Sequence, residues 1–148
     1  MIEYNGTSNG IKKLRYYNLY KYDKTTEDYL LLNLTRYQRS IFAQFRYGIL
    51  PLQIEVGRYR GVPLSDRSCQ ICSTAIEDEI HFLCECPAYS STREILYKQA
   101  TEIEPSFDNM DDIDKYVFLM SNLQKSVVHY LTNALETRKN SISISLVT

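Results

Sequence analysis

All four cysteines of this 148-residue chain lie within residues 69–86, and a histidine lies among them. Cys69, Cys72, His81 and Cys86 form the pattern C-x2-C-x8-H-x4-C. Thiolates and imidazole are ligands that zinc prefers, and four of them complete a closed tetrahedral site. The two residues between Cys69 and Cys72 let the chain turn back, so both sulfurs can reach one ion. His81 and Cys86 supply the other two ligands, and the spacing therefore predicts a structural zinc site.

Cys84 competes with Cys86 for the fourth ligand position, because the two lie too close in sequence for both to bind comfortably. Cys86 is favoured because it leaves four residues after His81 and directly precedes Pro87, which ends the segment. Cys84 is then expected to pack as a small apolar side chain. The alternative, in which Cys84 is the fourth ligand, stays open at this point.

Two other uses of these cysteines are disfavoured. A disulfide framework belongs to an oxidising compartment and a secretory signal, but residues 1–10 contain no apolar h-region. A redox CxxC pair is expected where a strand meets a helix, whereas polar residues typical of a turn flank this pair, at 66–68 and 73–74. No apolar run is long enough to span a membrane. We therefore expect an intracellular protein, in the nucleus or the cytoplasm.

The elements that must position the ligands are predicted to be mainly α-helical, with little sheet. Residues 1–10 are polar and expected to be disordered, and residues 141–148 are expected to form a tail. Between them, residues 11–140 are predicted to form a single helical domain that contains a zinc module at 67–89.

Residues 34–47 carry a helical pattern in which apolar residues share one face and arginines share another. The apolar set is Leu34, Tyr37, Ile41 and Phe45, and the arginines are Arg36, Arg39 and Arg46. Asn33 or Thr35 can cap the start of this helix, and Gly48 can end it in a left-handed conformation.

Further elements follow from local signals. The alternating residues 52–56 could form a short strand. Ser91 and Glu94 fit a capping box that starts a helix running to about Thr101. The carboxylates of residues 111–114 favour another helix start, with Ile113, Tyr116, Val117 and Met120 as its apolar stripe. A last helix is predicted at about 122–138, burying Leu123, Val127, Leu131, Ala134 and Leu135.

Catalysis by this chain is not expected. No serine or cysteine nucleophile pairs with an available histidine, because His81 is assigned to the metal and His129 falls on the polar face of its helix. The pair Asp111 and Asp112 resembles a polymerase carboxylate pair, but it lacks the flanking apolar strand residues, so a helix start is the better interpretation. No glycine-rich phosphate loop is present.

Charge is distributed unevenly along the chain. Residues 1–68 hold 11 Lys and Arg against 6 Asp and Glu, whereas residues 69–148 hold 6 against 12. A basic front half interleaved with tyrosines suits phosphate contact and base stacking. The candidate phosphate contacts are Arg36, Arg39, Arg46, Arg58 and Arg60, and Tyr59 is the candidate stacking residue. The alternative is that these arginines pair with the acidic half of the same chain.

Three segments together resemble the zinc-binding region that follows the reverse transcriptase in non-long-terminal-repeat retrotransposons. They are residues 46–59 (RYGILPLQIEVGRY), 67–72 (RSCQIC) and 76–89 (IEDEIHFLCECPAY), within a resemblance that covers about residues 28–93. The resemblance implies the ligands Cys69, Cys72, His81 and Cys86, with Cys84 replacing a usual apolar residue. It also implies an accessory region near nucleic acid, without the polymerase or endonuclease domain.

The expected function is therefore a non-catalytic zinc-binding accessory domain derived from a retrotransposon reverse transcriptase, with Zn²⁺ as its cofactor and DNA or RNA as its partner. Two alternatives stay open. The chain could be a zinc-stabilised protein-interaction or structural module that does not bind nucleic acid, or it could be a degenerate retrotransposon fragment.

Overall fold

A computed structural model of the chain describes residues 14–21 and 26–147 and has a mainly helical fold, as the sequence predicts. Its α-helices are α1 (Arg36–Arg46), α2 (Gln53–Tyr59), α3 (Ser90–Ile103), α4 (Asp112–Asn122) and α5 (Gln124–Val147). Short 3₁₀ turns lie at Tyr17–Leu19, Asp28–Leu31, Leu64–Asp66, Pro87–Tyr89 and Phe107–Asn109, and a π-turn lies at His81–Glu85. Among the described residues, β pairing is limited to one isolated antiparallel bridge. The predicted disorder of residues 1–10 falls outside the described part.

Helix α5 forms the centre of the packing, and α1, α3 and α4 all pack against it. The buried residues of α5 fall in its first half and include Val127, Leu131 and Ala134, as predicted from their spacing. From α4, Tyr116 and Met120 are fully buried, as the predicted stripe requires. The region that carries the candidate ligands packs against α4 through the π-turn.

The predicted ends of α1 are confirmed. Thr35 is the N-cap: its side chain accepts a hydrogen bond from Gln38 N–H, while Gln38 Oε1 accepts one from Thr35 N–H. Gly48 follows the helix with φ +70°, the left-handed conformation that glycine adopts at little cost. One predicted core residue is wrong, because Tyr37 is 61% exposed. Phe42, which is fully buried, fills the core on this face instead.

Two other local predictions are wrong. Residues 52–56 contribute to helix α2 and not to a strand, because Leu52 C=O accepts the N–H groups of Glu55 and Val56 and begins a helix. Helix α3 begins at Ser90 without a side-chain cap, so the capping box at Ser91 does not form. The 3₁₀ turn Pro87–Tyr89 leads directly into the helix, which places Ser91 inside its first turn.

Helix α5 continues nine residues beyond its predicted end at 138 and includes most of the predicted tail. The alternation of serine and isoleucine there resembles a strand pattern. The serine hydroxyls instead donate to carbonyls four residues back, from Ser141 to Thr137 O, Ser143 to Lys139 O and Ser145 to Ser141 O, at 2.8–2.9 Å. These bonds satisfy the serine side chains within the helix.

Candidate metal centre

The CxxC pair lies on a tight loop that a short backbone ladder closes. Ser68 and Ile76 form the antiparallel bridge, and inside it Cys69 N–H donates to Ala75 O at 2.8 Å. At the loop's turn, Ser73 adopts φ +58° and its N–H donates to Cys69 O at 3.0 Å. These backbone bonds position Cys69 and Cys72 on one loop, and Cys72 Sγ also contacts Thr74 Oγ1 at 3.1 Å.

The other two candidate ligands come from the two ends of a π-turn. Cys86 N–H donates to His81 O at 2.8 Å, a bond that spans five residues. In a regular α-helix, residues five apart would point about 140° away from each other. The wider π-turn reduces this angle, so the side chains of His81 and Cys86 lie on the same side of the turn. Single π-turns occur frequently at functional sites.

The four side chains meet in one cluster. Their ligand atoms all lie within 4.8 Å of one another, with Cys69 Sγ 4.0 Å from Cys86 Sγ and Cys72 Sγ 3.3 Å from His81 Nε2. A tetrahedral ion with metal–sulfur bonds of about 2.3 Å separates two sulfurs by about 3.8 Å. The cluster is therefore the right size to hold one metal ion, and the predicted ligands are brought together.

Cys86 and not Cys84 belongs to this cluster. Cys84 is buried outside it, where burial raises the pKa of its thiol to about 12. The expectation that Cys84 packs as a small apolar side chain is confirmed. It neighbours Tyr97, whose hydroxyl donates to the Cys84 carbonyl at 3.1 Å.

The electrostatics of the cluster favour a thiolate at Cys72. Burial would raise the pKa of Cys72, but hydrogen bonds with Thr74 and Cys69 and the charge of His81 lower it to about 6. For His81, burial would lower the pKa, but hydrogen bonds to Cys69 and Glu85 and the thiolate charges raise it to about 10. Thiolate is the metal-binding form of cysteine. A metal that binds His81 must displace its proton.

Glu85 orients the histidine. Its carboxylate Oε2 lies 3.2 Å from His81 Nδ1, while His81 Nε2 faces the cysteines. The hydrogen bond to His81 lowers the pKa of Glu85, which keeps the carboxylate charged. Carboxylates in this position fix the tautomer and the ring orientation of metal-binding histidines.

The acidic run Glu77–Glu79 anchors this region to the rest of the protein, a role that its sequence does not reveal. Glu79 forms a bidentate ion pair with Arg15, and Glu77 forms another with Arg138. Asp78 accepts hydrogen bonds from Tyr16 O–H at 2.6 Å and His81 N–H at 2.8 Å. All three acidic residues are buried. A charged triplet is usually a solvated surface, so only its position next to a ligand could have suggested otherwise.

Arg93 is a second residue that the sequence does not reveal. It is buried, and it donates to Leu83 O at 2.8 Å and to Cys86 O at 2.9 Å. Leu83 is the central residue of the π-turn, and Cys86 follows its last residue. Arg93 therefore holds the backbone on which Cys86 is mounted.

Arg46 is incorrectly predicted to contact phosphate. Arg46 is 3% exposed, and its guanidinium pairs with Glu27 and lies over several aromatic rings. The ring centroids within 5.6 Å of its Cζ belong to Tyr17, Tyr20, Tyr29 and Phe42. A helix end that looked solvated is thus covered by the segments that precede α1, and phosphate cannot reach this side chain.

The other members of the predicted basic set are more accessible. Arg36 and Arg60 are exposed, and Tyr59 is 71% exposed. Arg58 is half-buried, pairs with Glu55 at 2.8 Å, and lies 4.6 Å over the Tyr59 ring. Arg39 is partly buried and donates to Leu32 O at 3.4 Å.

Asp111 and His129, which were considered for catalysis, lie where the sequence predicts. Asp111 is the N-cap of α4 and accepts a hydrogen bond from Asp114 N–H at 2.8 Å, as the helix-start interpretation predicts. His129 is exposed on α5, in agreement with its predicted place on the polar face.

Comparisons with models of known protein families, with curated proteins and with solved structures found no match for this chain. In the part that the structure describes, no helix is both long enough and apolar enough to cross a membrane. Fold and site define a mainly helical protein with a cluster of three cysteines and one histidine that can hold a metal ion.

Proposed function

We propose that this chain is a non-catalytic zinc-binding domain, related to the region that follows the reverse transcriptase in non-long-terminal-repeat retrotransposons, and that it contacts nucleic acid. The observation that carries the proposal is the closed set of four protein ligands, Cys69, Cys72, His81 and Cys86. Four such ligands leave a tetrahedral ion without an open position for substrate, so the metal is structural. The relation to retrotransposons is supported by the sequence motifs.

Zinc is the metal that suits this ligand set. Three thiolates and one imidazole form a soft set, and a tetrahedral arrangement of three sulfurs and one nitrogen is typical of structural zinc. The Glu85 carboxylate lies at His81 Nδ1, where metal-binding histidines usually have a hydrogen-bond partner.

The metal is tested by elemental analysis of the purified full chain. We expect one zinc per chain, and loss of that zinc in Cys86→Ala. The matched control is Cys84→Ala, which removes a buried thiol two residues away but keeps the ligand set. Equal zinc content in both variants, or no metal in the unsubstituted protein, would contradict the proposal.

Nucleic-acid contact is proposed for the accessible part of the predicted basic set, which is Arg36, Arg58, Tyr59 and Arg60. Arg58, Tyr59 and Arg60 lie together at the end of α2, where the Arg58 guanidinium covers one side of the Tyr59 ring. Arginines beside an exposed aromatic ring supply both phosphate contact and a stacking surface.

The test is fluorescence anisotropy with single- and double-stranded DNA and RNA over a salt series. When binding occurs through phosphates, the logarithm of the binding constant falls linearly with the logarithm of the salt concentration. Each lost phosphate contact reduces the magnitude of that slope by about 0.7 to 0.9. Arg60→Ala should therefore lower both the affinity and the slope. The control is Lys98→Ala, which removes an exposed cation on α3. An unchanged slope in Arg60→Ala would contradict this surface.

A second candidate function is a structural or protein-interaction module that does not bind nucleic acid. It is favoured by the inward position of many arginines, because Arg15, Arg46, Arg93 and Arg138 all make internal ion pairs or hydrogen bonds. Absence of binding to all four nucleic-acid probes at physiological salt would select this candidate over the first.

A further inference from the structure

A cleft of about 650 Å³ lies between α3 and α5, beside the residues at the start of α1. Its two walls are matched rows of side chains four residues apart. Ser91, Ile95 and Gln99 come from α3, and Lys125, His129 and Asn133 come from α5. Each row spans eight residues of helix, or about 12 Å. The volume falls within the range of about 300 to 1,000 Å³ that is usual for small-ligand sites.

The polar groups of the cleft have unused hydrogen-bonding capacity. Among the described residues, no hydrogen bond or ion pair involves the side chains of Ser91, Gln99, Lys125, His129 or Asn133. The Oε1 atom of Gln99 is also buried and has no partner in the described protein. Buried acceptors without a partner are uncommon and unfavourable, so Gln99 would gain from a reorientation that brings its amide to a donor in the cleft.

The electrostatic character of the cleft favours an anion. Among the described residues, its lining includes Lys125 and His129 but no carboxylate. Lys125 lies in the first turn of α5, where the helix dipole adds positive potential to the charge of its ammonium. The apolar surface of Ile95, which is mostly exposed, lies on the opposite wall.

From these observations we propose that the cleft binds a nucleotide, either free or as one unit of a single strand. The base lies against Ile95 and forms a hydrogen bond with the reoriented side-chain amide of Gln99, and Lys125 binds the phosphate. Side-chain amides pair well with base edges. Three of the amides that line the cleft, from Asn33, Gln99 and Asn133, make no hydrogen bond within the described protein, whereas Gln38 uses its Oε1 to cap α1. An acidic peptide would satisfy Lys125 but offers no planar edge for these amides. Binding of a nucleotide as one unit of a single-stranded nucleic acid rests on the proposed function, whereas binding of a free nucleotide does not.

The experiment uses the full zinc-loaded chain, with adenosine monophosphate, adenosine and a labelled ten-nucleotide single strand as probes. Backbone amide shifts in NMR spectra locate the binding. We expect shifts at residues 91–99 and 125–133 and roughly tenfold weaker binding of adenosine, which lacks the phosphate. Lys125→Ala should remove the difference between the two small probes. Its matched control, Lys139→Ala, removes an exposed lysine from the same helix outside the cleft.

Gln99→Leu tests the base contact. The variant removes a buried acceptor that has no partner within the protein, so its thermal stability should be unchanged or slightly higher. Binding of adenosine monophosphate should weaken roughly 3- to 10-fold. Lower stability with unchanged binding would show that Gln99 is only a packing residue and would overturn the base contact.

The outcomes separate this inference from the proposed function. If the single strand binds and its binding weakens in Lys125→Ala and Gln99→Leu, the inference is supported and the bound nucleotide is one unit of a single strand. Adenosine monophosphate bound in the cleft without any oligonucleotide binding supports the inference and contradicts the proposed function. Strand binding that weakens only in Arg60→Ala overturns the inference and leaves the proposed function standing. No cleft shifts with any probe, or preferential binding of an acidic peptide there, also overturns the inference.

Discussion

Replacing Arg15 with methionine removes one half of a buried ion pair between the front of the chain and the ligand region. The Arg15 and Glu79 side chains are 5% and 1% exposed, and their two hydrogen bonds measure 2.8 and 2.7 Å. Arg15 also donates to Gly48 O at 3.1 Å. In the unsubstituted protein, burial raises the pKa of Glu79 and Arg15 opposes that effect. In Arg15→Met, the Glu79 carboxylate stays buried without its cation.

The magnitude follows from the burial. Removal of one partner from a buried pair costs about 3 to 5 kcal/mol, because an uncompensated charge is left in the interior. With a denaturant slope of about 2 kcal/mol per molar urea, the unfolding midpoint of zinc-loaded Arg15→Met should fall by about 2 M. The slope itself should not change. The assay is urea unfolding followed by circular dichroism.

A double-mutant cycle shows whether the loss arises from the pair. Glu79→Gln in the Arg15→Met background should recover about half of the lost free energy or more, because it removes the unpaired charge. The matched control is Arg60→Met, which changes an exposed arginine and should shift stability by less than about 0.5 kcal/mol. A cost under about 1 kcal/mol for Arg15→Met, or no recovery in the double variant, would refute the reasoning.

Three further predictions concern the centre and the helices. Glu85→Ala should weaken zinc affinity about 10- to 100-fold while all four candidate ligands remain, because His81 loses the partner at its Nδ1. Competition with a chromogenic chelator measures the affinity, and an unchanged value would contradict the prediction. Gly57→Ala should destabilise the protein by about 1 to 3 kcal/mol, because its new Cβ would lie 2.5 Å from Arg67 Cγ; thermal unfolding measures this, and a neutral result would show that Arg67 moves aside. Thr35→Ala should cost about 1 kcal/mol through loss of the capping box, whereas Thr35→Ser should cost much less in the same unfolding assay.

Local signals in the sequence were sufficient where a feature depends on a few neighbouring residues. The four candidate ligands follow from spacing, because a CxxC turn and a five-residue separation are short-range geometry. The caps at Thr35 and Asp111 depend on one side chain and an N–H three residues on. The left-handed end at Gly48 depends on a single residue.

Local signals failed where regular patterns have two interpretations. Residues 52–56 alternate like a strand, but the segment is short and its helix forms against the core, with Ile54 and Glu55 both buried. The alternation in residues 141–147 is equally ambiguous, because serine hydroxyls can return their hydrogen bonds to the helix backbone. In both cases a two-residue period did not identify the element.

The sequence by itself determined the candidate ligand set, the helical class, both ends of α1 and the start of α4, because these depend on residue types a few positions apart. Only the tertiary structure decided which charges face inward. Arg15 and Glu79 are 64 positions apart, and Arg138 and Glu77 are 61 apart, so no local pattern pairs them. Arg46 was placed on a polar face, yet the aromatic rings of earlier segments cover it. In these cases the partners that accompany a charged side chain into the interior are distant in sequence, and the fold alone determines which partners reach it.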